Sequence, residues 1–200
     1  TTVSGTLVIA HAAGIKVFVT GGIGGAHRGS EISMDISADL EELAISDVTV
    51  VCAGIKAILD LPKTLEILET KGVPVVGYKT DELPAFYTRK SGIKLVATAD
   101  TVDEIALIMK SKWDLGINGS ILITNPIPKE FEADSKVINV AIENALLLAN
   151  KKGVSGKEIT PFILSHVSEA TGGDSLAANV ALVENNARLG AQIAFAFYKL

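Results

Sequence analysis

The chain has 200 residues, a net charge of −5, 48% hydrophobic residues and 20% charged residues, and Cys52 is its one cysteine. This length suits one domain with a sizeable core, and the negative charge argues against a general nucleic-acid-binding protein, which normally carries a basic surface. A lone cysteine forms no intrachain disulfide, and no apolar run reaches the roughly 18 residues of a membrane span. We therefore expect a protein of the cytoplasm that binds neither membranes nor nucleic-acid polymers.

Five short runs of β-branched and aliphatic residues predict strands, and helical patterns alternate with them. The runs are apolar throughout, which is typical of strands buried on both faces of a parallel sheet. They cover residues 16–19, 48–52, 74–78, 94–97 and 120–124. The alternation predicts a single α/β domain over residues 1–200, with a mainly parallel sheet flanked by helices and a helical C-terminal part.

Several predicted helices have recognisable ends. Asp60 and Pro62 predict the cap and first turn of a helix that Gly72 closes, and Thr101 and Glu104 have the spacing of a capping box. The second of these helices should run to about residue 113. Two more helical patterns cover residues 137–150 and 175–198.

A glycine-rich loop directly follows the first predicted strand. Four of the residues 21–25 are glycine, and Thr20, His27 and Arg28 add polar or positive donors. Glycines let the backbone approach a ligand and turn its N–H groups inward, as phosphate sites require. The loop lacks the lysine of a Walker A motif, and His27 stands where a dinucleotide fingerprint has its third glycine. A tight turn and an anion site both remain open.

Asp35 and Asp39, with Ser37 between them, form a second polar segment. The spacing favours the capped N-terminus of a helix. The alternative is a site for a sugar hydroxyl or a hard cation such as Mg²⁺ or Mn²⁺, which carboxylates bind with water completing the shell. His11 and His166 lie in helical patterns without candidate ligand partners, so we interpret both as structural.

Lys56 follows the second predicted strand, and ligands of open α/β sheets bind outside the carboxyl ends of strands. Partial desolvation favours the neutral form of an amine, and a neutral amine can attack an aldehyde to form a Schiff base. The ordinary alternative is a surface lysine whose stem packs on the sheet.

Three further segments could border a site. The proline-rich residues 125–128 should form a stiff loop at the carboxyl edge, and residues 84–87 bear aromatic rings that we interpret as packing. Asn179 is an amide on an apolar helix face, so it bonds either to backbone or to a ligand.

Many stretches of the chain resemble the pseudouridine-5'-phosphate glycosidase family, also called indigoidine synthase A-like. They are TTVSGT, GIKVFVTGGIGGAHRG, DISADL, VVCAGIKAILDLPKTLEILET, GVPVVGY, LPAFYTRKSG, ITNPIP and TGGDSLAANVALVENNA. They span nearly the whole chain in one order, so the resemblance is highly specific. It implies reversible cleavage of pseudouridine 5'-phosphate into uracil and ribose 5-phosphate.

The resemblance also implies roles for individual residues. Lys56 would be the catalytic nucleophile that forms an imine with C1 of the opened ribose, and Asp35 would hold a divalent ion, usually Mn²⁺. A C-glycosidic bond has no oxygen leaving group to protonate, so the route of two carboxylates used by ordinary glycosidases fails. The imine supplies an electron sink instead.

The resemblance also implies an N-terminal segment that precedes the residues of this chain. Family members carry a long N-terminal segment with a general-acid glutamate and a phosphate-binding lysine. This chain lacks that segment, and the absence of an initiator Met leads us to expect that it begins within a longer protein.

The resemblance implies substrate contacts from three parts of the chain. The residues implied to contact substrate are Thr2, Val3 and Thr20 at the phosphate, Ser37, Ala38 and Asp39 at the sugar or its bound water, and Asn179 at the base or sugar.

Two alternatives to the lysine-dependent lyase remain open. One is a phospho-sugar or nucleotide-binding module without turnover, and the other is a relative that synthesises C-glycosides in secondary metabolism. An N-terminal nucleophile at Thr1 is disfavoured, because nothing else in the chain resembles such hydrolases. The resemblance and the apolar C-terminal helix also predict a homo-oligomer, with a trimer as one expectation.

Overall fold

The computed structural model describes residues 2–154, 158–170 and 174–200, so Thr1 lies outside the described residues. Five strands form one parallel sheet in the order β1-β2-β5-β3-β4. The elements are α1 Val3–Ala12, β1 Val17–Val19, α2 Ser30–Ser33, α3 Asp39–Ile45, β2 Thr49–Cys52, α4 Leu61–Thr70, β3 Val75–Tyr78, β4 Ala97–Ala99, α5 Val102–Asp114, β5 Ile121–Thr124, a 3₁₀ turn Lys129–Phe131, α6 Ser135–Lys151, α7 Ile159–Ala170 and α8 Asp174–Phe197.

The burial of the strands follows their place in the sheet. Every residue of β2 and β5 is buried, whereas the edge strands β1 and β4 are partly exposed. Strands covered on both faces are built mainly from apolar and β-branched residues, which explains the runs TVVC and ILIT. The α/β class with a parallel sheet and a helical C-terminal part is confirmed.

Helices cover both faces of the sheet. Val51 and Ile123 face a core that includes residues of α5 and α8, while Val50 and Leu122 face a larger core that includes residues of α1, α3, α6 and α7. This alternation arises because successive side chains of a strand point to opposite faces. None of the described helices combines the length and apolar character needed to cross a membrane.

Helix caps form where the sequence predicts them. The Asp60 side chain accepts a hydrogen bond from Lys63 N at the start of α4, and Gly72 has a φ of +69° just after that helix. Thr101 and Glu104 form a complete capping box at α5. These caps satisfy amide groups that the first turn of a helix leaves without a partner.

The fourth strand lies later than predicted, at Ala97–Ala99 rather than 94–97. Lys94 instead forms an antiparallel bridge with Glu82, and Ala97 is the first residue to pair with β3. The extended run is therefore divided between two partners, a tertiary effect that local propensity does not contain.

Candidate active site

The loops that follow β1 and β2 pair with each other at the carboxyl edge of the sheet. Ala53 N donates to Gly21 O at 2.8 Å, Ile23 N donates to Gly54 O at 3.1 Å, and Lys56 N donates to Ile23 O at 3.2 Å. The glycine loop and the segment that carries Lys56 therefore extend the sheet beyond its strands. Side chains from both segments meet at the edge where ligands of α/β sheets bind.

Close packing accounts for three glycines of the loop. A Cβ on Gly22 would lie 2.6 Å from the Phe86 ring, and a Cβ on Gly25 would lie 2.4 Å from Thr64 Oγ1. A Cβ on Gly24 would lie 2.3 Å from Ser37 Oγ. Such distances exclude any side chain larger than hydrogen unless the neighbours move.

The same loop also keeps donors available. Gly24 N and Ala26 N donate to Asp39 and Thr64, whereas the N–H groups of Gly21, Gly22 and Gly25 donate to no acceptor among the described residues. Backbone N–H groups without protein acceptors are what an anion site offers.

Asp39 joins two segments of the site. It is only 4% exposed, and its Oδ1 and Oδ2 accept hydrogen bonds from Ser4 N and Gly24 N, each at 2.8 Å. A buried carboxylate requires such donors, and this pair fixes the start of α1 against the glycine loop. Ser37 Oγ accepts a hydrogen bond from Asp39 N at 3.2 Å, so the Ser37 hydroxyl lies at the N-terminus of α3.

Asp35 does not cap a helix, because α3 begins at Asp39. Its carbonyl accepts from His27 N, and Ala26 bridges Ile36 in antiparallel pairing, so Asp35 and His27 are cross-strand neighbours on one face. The half-buried Asp35 carboxylate accepts no hydrogen bond and forms no ion pair with the described part of the chain.

Lys56 lies half-buried four residues after the end of β2. Its ammonium forms no ion pair with any described carboxylate. Gly54, two residues earlier, has a φ of +89° and leaves space for the Pro84 carbonyl, which would lie 2.1 Å from a Cβ there. The segment before Lys56 is thus held from both sides, by the glycine loop and by residues 84–87.

The aromatic segment packs as predicted. Phe86 lies over Gly22 with a φ of +63° and meets the Tyr87 ring edge-on at a centroid distance of 4.7 Å. Burial raises the pKa of Tyr87 above its usual value, and a hydrogen bond with Ser175 lowers it in part.

The N-terminal residues form a helix start beside the site. Thr2 caps α1, its Oγ1 accepting from Gly5 N at 3.0 Å, and its side chain remains exposed. Val3 is buried in the core, while Ala38 is exposed next to Ser37.

Asn179 of α8 reaches the glycine loop from the other side. Its Oδ1 would lie 3.5 Å from a Cβ on Gly21, and the side chain is half-buried. The structure thus brings Thr20, Lys56 and Asn179 to the same pair of loops.

A profile of the family described as "Indigoidine synthase A like protein" matches residues 1–196. The chain belongs to this family. A pseudouridine-5'-phosphate glycosidase of Caldanaerobacter subterraneus subsp. tengcongensis is 58% identical over 200 residues, which are all of this chain and 65% of the relative. A protein of the same name from Petrotoga mobilis is 59% identical over 197 residues, with 98% and 64% of the two chains covered.

Two solved structures of related proteins have the same fold. A prealnumycin C-glycosynthase in complex with ribulose 5-phosphate has a TM-score of 0.93 at 37% identity, over 99% of this chain and 65% of the other. An indigoidine synthase A-like protein of Thermotoga maritima has a TM-score of 0.89 at 40% identity, over 96% and 63%. This chain therefore spans about 65% of the length of its indigoidine synthase A-like relatives.

Sequence reasoning missed two polar residues of this candidate site. Asn186 of α8 is completely buried, donates from Nδ2 to Thr20 O and accepts from Asn125, both at 3.0 Å. The available signal was its spacing of seven residues from Asn179, which places both amides on one helix face. Thr64 also escaped notice, although its Oγ1 holds Ala26 N at 3.0 Å.

The two histidines that the sequence suggested were structural have protein partners. His11 Nδ1 accepts from Asp47 N at 3.0 Å, and His166 Nδ1 lies 2.8 Å from Phe162 O, with its ring stacked on that of Phe162.

Proposed function

We propose that the protein catalyses the reversible cleavage of pseudouridine 5'-phosphate to uracil and ribose 5-phosphate through an imine on Lys56. The observation that carries this proposal is the placement of Lys56 beside the glycine loop, in a chain 58–59% identical to proteins named for that activity. This chain covers 64–65% of the length of those relatives, so the activity of the whole protein is part of the proposal.

The chemistry follows from a half-buried amine at the carboxyl edge. In the direction of synthesis, Lys56 Nζ attacks the C1 aldehyde of open-chain ribose 5-phosphate, and water leaves as the imine forms. C5 of uracil then donates an electron pair to the imine carbon and loses its proton. The C4 hydroxyl oxygen of the sugar forms a bond to C1 as the C1–N bond breaks, and the hydroxyl proton passes to the released amine. Cleavage is the reverse sequence.

Residues around Lys56 have the donors that this substrate needs. Thr20 and the N–H groups of Gly21 and Gly22 offer hydrogen bonds to a phosphoryl group, and Thr2 with the backbone N–H of Val3 adds donors at the positive end of α1. On the other side, the Asn179 amide can bond a base or sugar, and Ser37 can bond a hydroxyl group.

Asp35 fits a divalent ion that keeps most of its water. Within the described residues no group of three or more His, Cys, Asp or Glu side chains could hold a metal ion. A single carboxylate plus waters is the usual arrangement for ions such as Mg²⁺, and Mn²⁺ shares this preference. When bound, the ion would supply positive charge to order substrate and water, and Asp35→Asn should weaken Mn²⁺ binding measured by electron paramagnetic resonance.

Intact mass of the full-length protein tests the reaction. Ribose 5-phosphate with borohydride should add one reduced sugar phosphate to the wild type, and peptide mapping should place it on Lys56. The Lys56→Arg variant is the control, since it keeps the charge but should gain no mass. An unmodified Lys56 in active protein would refute the imine.

A C-glycosynthase is the second candidate, favoured by the similarity to the prealnumycin C-glycosynthase. The two functions differ in the ring that attacks the imine. Turnover with uracil supports the first candidate, whereas turnover with another nucleophilic ring and none with uracil supports the second. Binding of ribose 5-phosphate without either turnover would indicate a binding module. We further propose a homo-oligomer, a trimer being one form, in the cytoplasm.

A further inference from the structure

Two buried asparagines connect α8 to the ends of three strands at the carboxyl edge. Asn186, which is 0% exposed, donates from Nδ2 to Thr20 O at 3.0 Å, and its Oδ1 accepts from Asn125 Nδ2 at 3.0 Å. Asn125 is 6% exposed at the end of the central strand β5, and its own N–H donates to Cys52 O at 2.8 Å. The ends of β1, β2 and β5 are thereby joined to α8.

Asn186 lies on a stripe of α8 that follows β1 and the glycine loop. The Oδ1 of Asn179 would lie 3.5 Å from a Cβ on Gly21, and a Cβ on Gly190 would lie 2.3 Å from the Val19 side chain. The spacings from 179 to 186 and from 186 to 190 are those of one helix face. The rise of about 1.5 Å per residue places Asn179 roughly 10 Å from Asn186 along the helix.

A purely structural contact does not require this amide. A buried amide is costly unless both its donor and its acceptor are satisfied, whereas apolar groups of the same shape at all of the bonded positions can be nearly neutral for stability. The amide adds directional hydrogen bonds. Its donor and its acceptor both reach their partners only when α8 has one rotation about its axis and one position along that axis. The small residue Gly190 and the directional residue Asn186 together fix α8 against β1.

We propose that Asn186 is a positioning residue, which sets Thr20 and Asn179 relative to each other so that both contact one phospho-sugar ligand. Asn186 touches no substrate itself and acts through the Thr20 carbonyl and through the register of α8. This inference rests on the proposed function, since it assigns Thr20 to the phosphate and Asn179 to the base or sugar.

Binding of ribose 5-phosphate to the full-length protein tests the proposal without turnover. Asn186→Leu removes both hydrogen bonds at similar volume, and calorimetry should show a Kd raised roughly tenfold or more, as misplaced contacts predict. The side-chain amide resonances of Asn179 should also shift in a ¹⁵N spectrum, although Asn179 is two helical turns away.

Ser120→Ala is the matched control. Ser120 is equally buried at the opposite end of β5, where its Oγ donates to Ser46 O at 2.8 Å. It should lower the melting temperature while leaving the Kd and the Asn179 resonances unchanged. An Asn186→Leu protein that behaves like Ser120→Ala in all three measurements would show that the amide is only structural.

A milder variant covers the case in which Asn186→Leu does not fold. Asn125→Ala keeps the hydrogen bond from Asn186 Nδ2 to Thr20 O but removes the Asn125 amide, which orients the Asn186 side chain. The Kd for ribose 5-phosphate should therefore rise about threefold to tenfold. An unchanged Kd with unchanged Asn179 resonances would overturn the proposal in that case too.

The proposed reaction and the proposed role of Asn186 can be tested separately. Wild-type protein that binds ribose 5-phosphate but does not cleave pseudouridine 5'-phosphate would refute the reaction, while the Kd values still decide the role of Asn186. Wild-type protein that does not bind ribose 5-phosphate would overturn both.

Discussion

The two edges of the sheet use their polar groups differently. At the amino edge, the Lys112 ammonium donates to the carbonyls of Ile117, Asn118 and Gly119, and Asp47 Oδ1 accepts from Gly119 N at 2.8 Å. At the carboxyl edge, among the described residues, Lys56 has no ion-pair partner and the N–H groups of Gly21, Gly22 and Gly25 have no acceptor. These amino-edge groups bond to one another, whereas the carboxyl edge retains groups that a ligand can use.

This difference teaches which substitutions should affect activity and which should affect stability. Polar groups that already have protein partners contribute to folding, so their loss lowers the free energy of unfolding. Polar groups without protein partners contribute little to the free energy of unfolding and much to the binding of a ligand. The following variants test that division.

The largest expected effect is on activity at the carboxyl edge. For the proposed cleavage of pseudouridine 5'-phosphate, Lys56→Arg should lower kcat more than about 1,000-fold, because a guanidinium does not form the proposed imine. The melting temperature should stay within a degree or two of wild type, since Lys56 has no ion pair to lose. Lys129→Arg, at an exposed lysine, is the control and should change neither quantity; a large stability loss in Lys56→Arg would break the comparison.

Gly24→Ala should damage the same edge through packing. The new Cβ would lie 2.3 Å from Ser37 Oγ and 2.7 Å from Asp39 Oδ2, so the loop must shift at a cost of about 1–3 kcal/mol. Both the melting temperature and ribose 5-phosphate affinity should fall. Gly116→Ala is the control near the amino edge: its φ of +70° is strained but its Cβ meets nothing within 4 Å, so affinity should be retained.

Lys112→Met should change stability alone. Lys112 is 9% exposed, and its loss removes three hydrogen bonds and leaves the carbonyls of Ile117 and Asn118 without that donor, so the free energy of unfolding in urea should fall by roughly 3 kcal/mol. Activity per folded molecule should be unchanged. Lys110→Met, on an exposed turn of the same helix, should change the unfolding energy by under about 0.5 kcal/mol.

The smallest expected effect is a pH dependence at Tyr87. Burial raises its pKa in the folded protein above the ordinary value of 10.0, so the folded state holds the phenol proton more tightly than the unfolded chain does. Stability should therefore fall as pH rises above about 10, and Tyr87→Phe should lessen that fall. Tyr198→Phe, at an exposed tyrosine, should leave the pH profile as it is in wild type.

Local sequence determined much of the framework. The apolar runs, the capping residues at Asp60 and Thr101 and the order of elements were all predictable, because each depends on neighbours a few residues apart. The family was also contained in the sequence, in strings such as GGIGGAHRG and TGGDSLAANV. The prediction of β4 was misplaced because residues 94–99 pair with two different partners.

Only the tertiary structure decided how the site is assembled. The sequence favoured Asp39 as part of a helix cap or sugar site, yet its carboxylate holds the amides of Ser4 and Gly24, of which Ser4 is 35 residues away. Asn186 meets Thr20 across 166 residues of sequence. Contacts of this kind depend on strand order and on the register of α8, and no local pattern encodes either. The sequence by itself thus determined the residues and elements of this protein, and the packing of α1 and α8 against the sheet decided which of them meet.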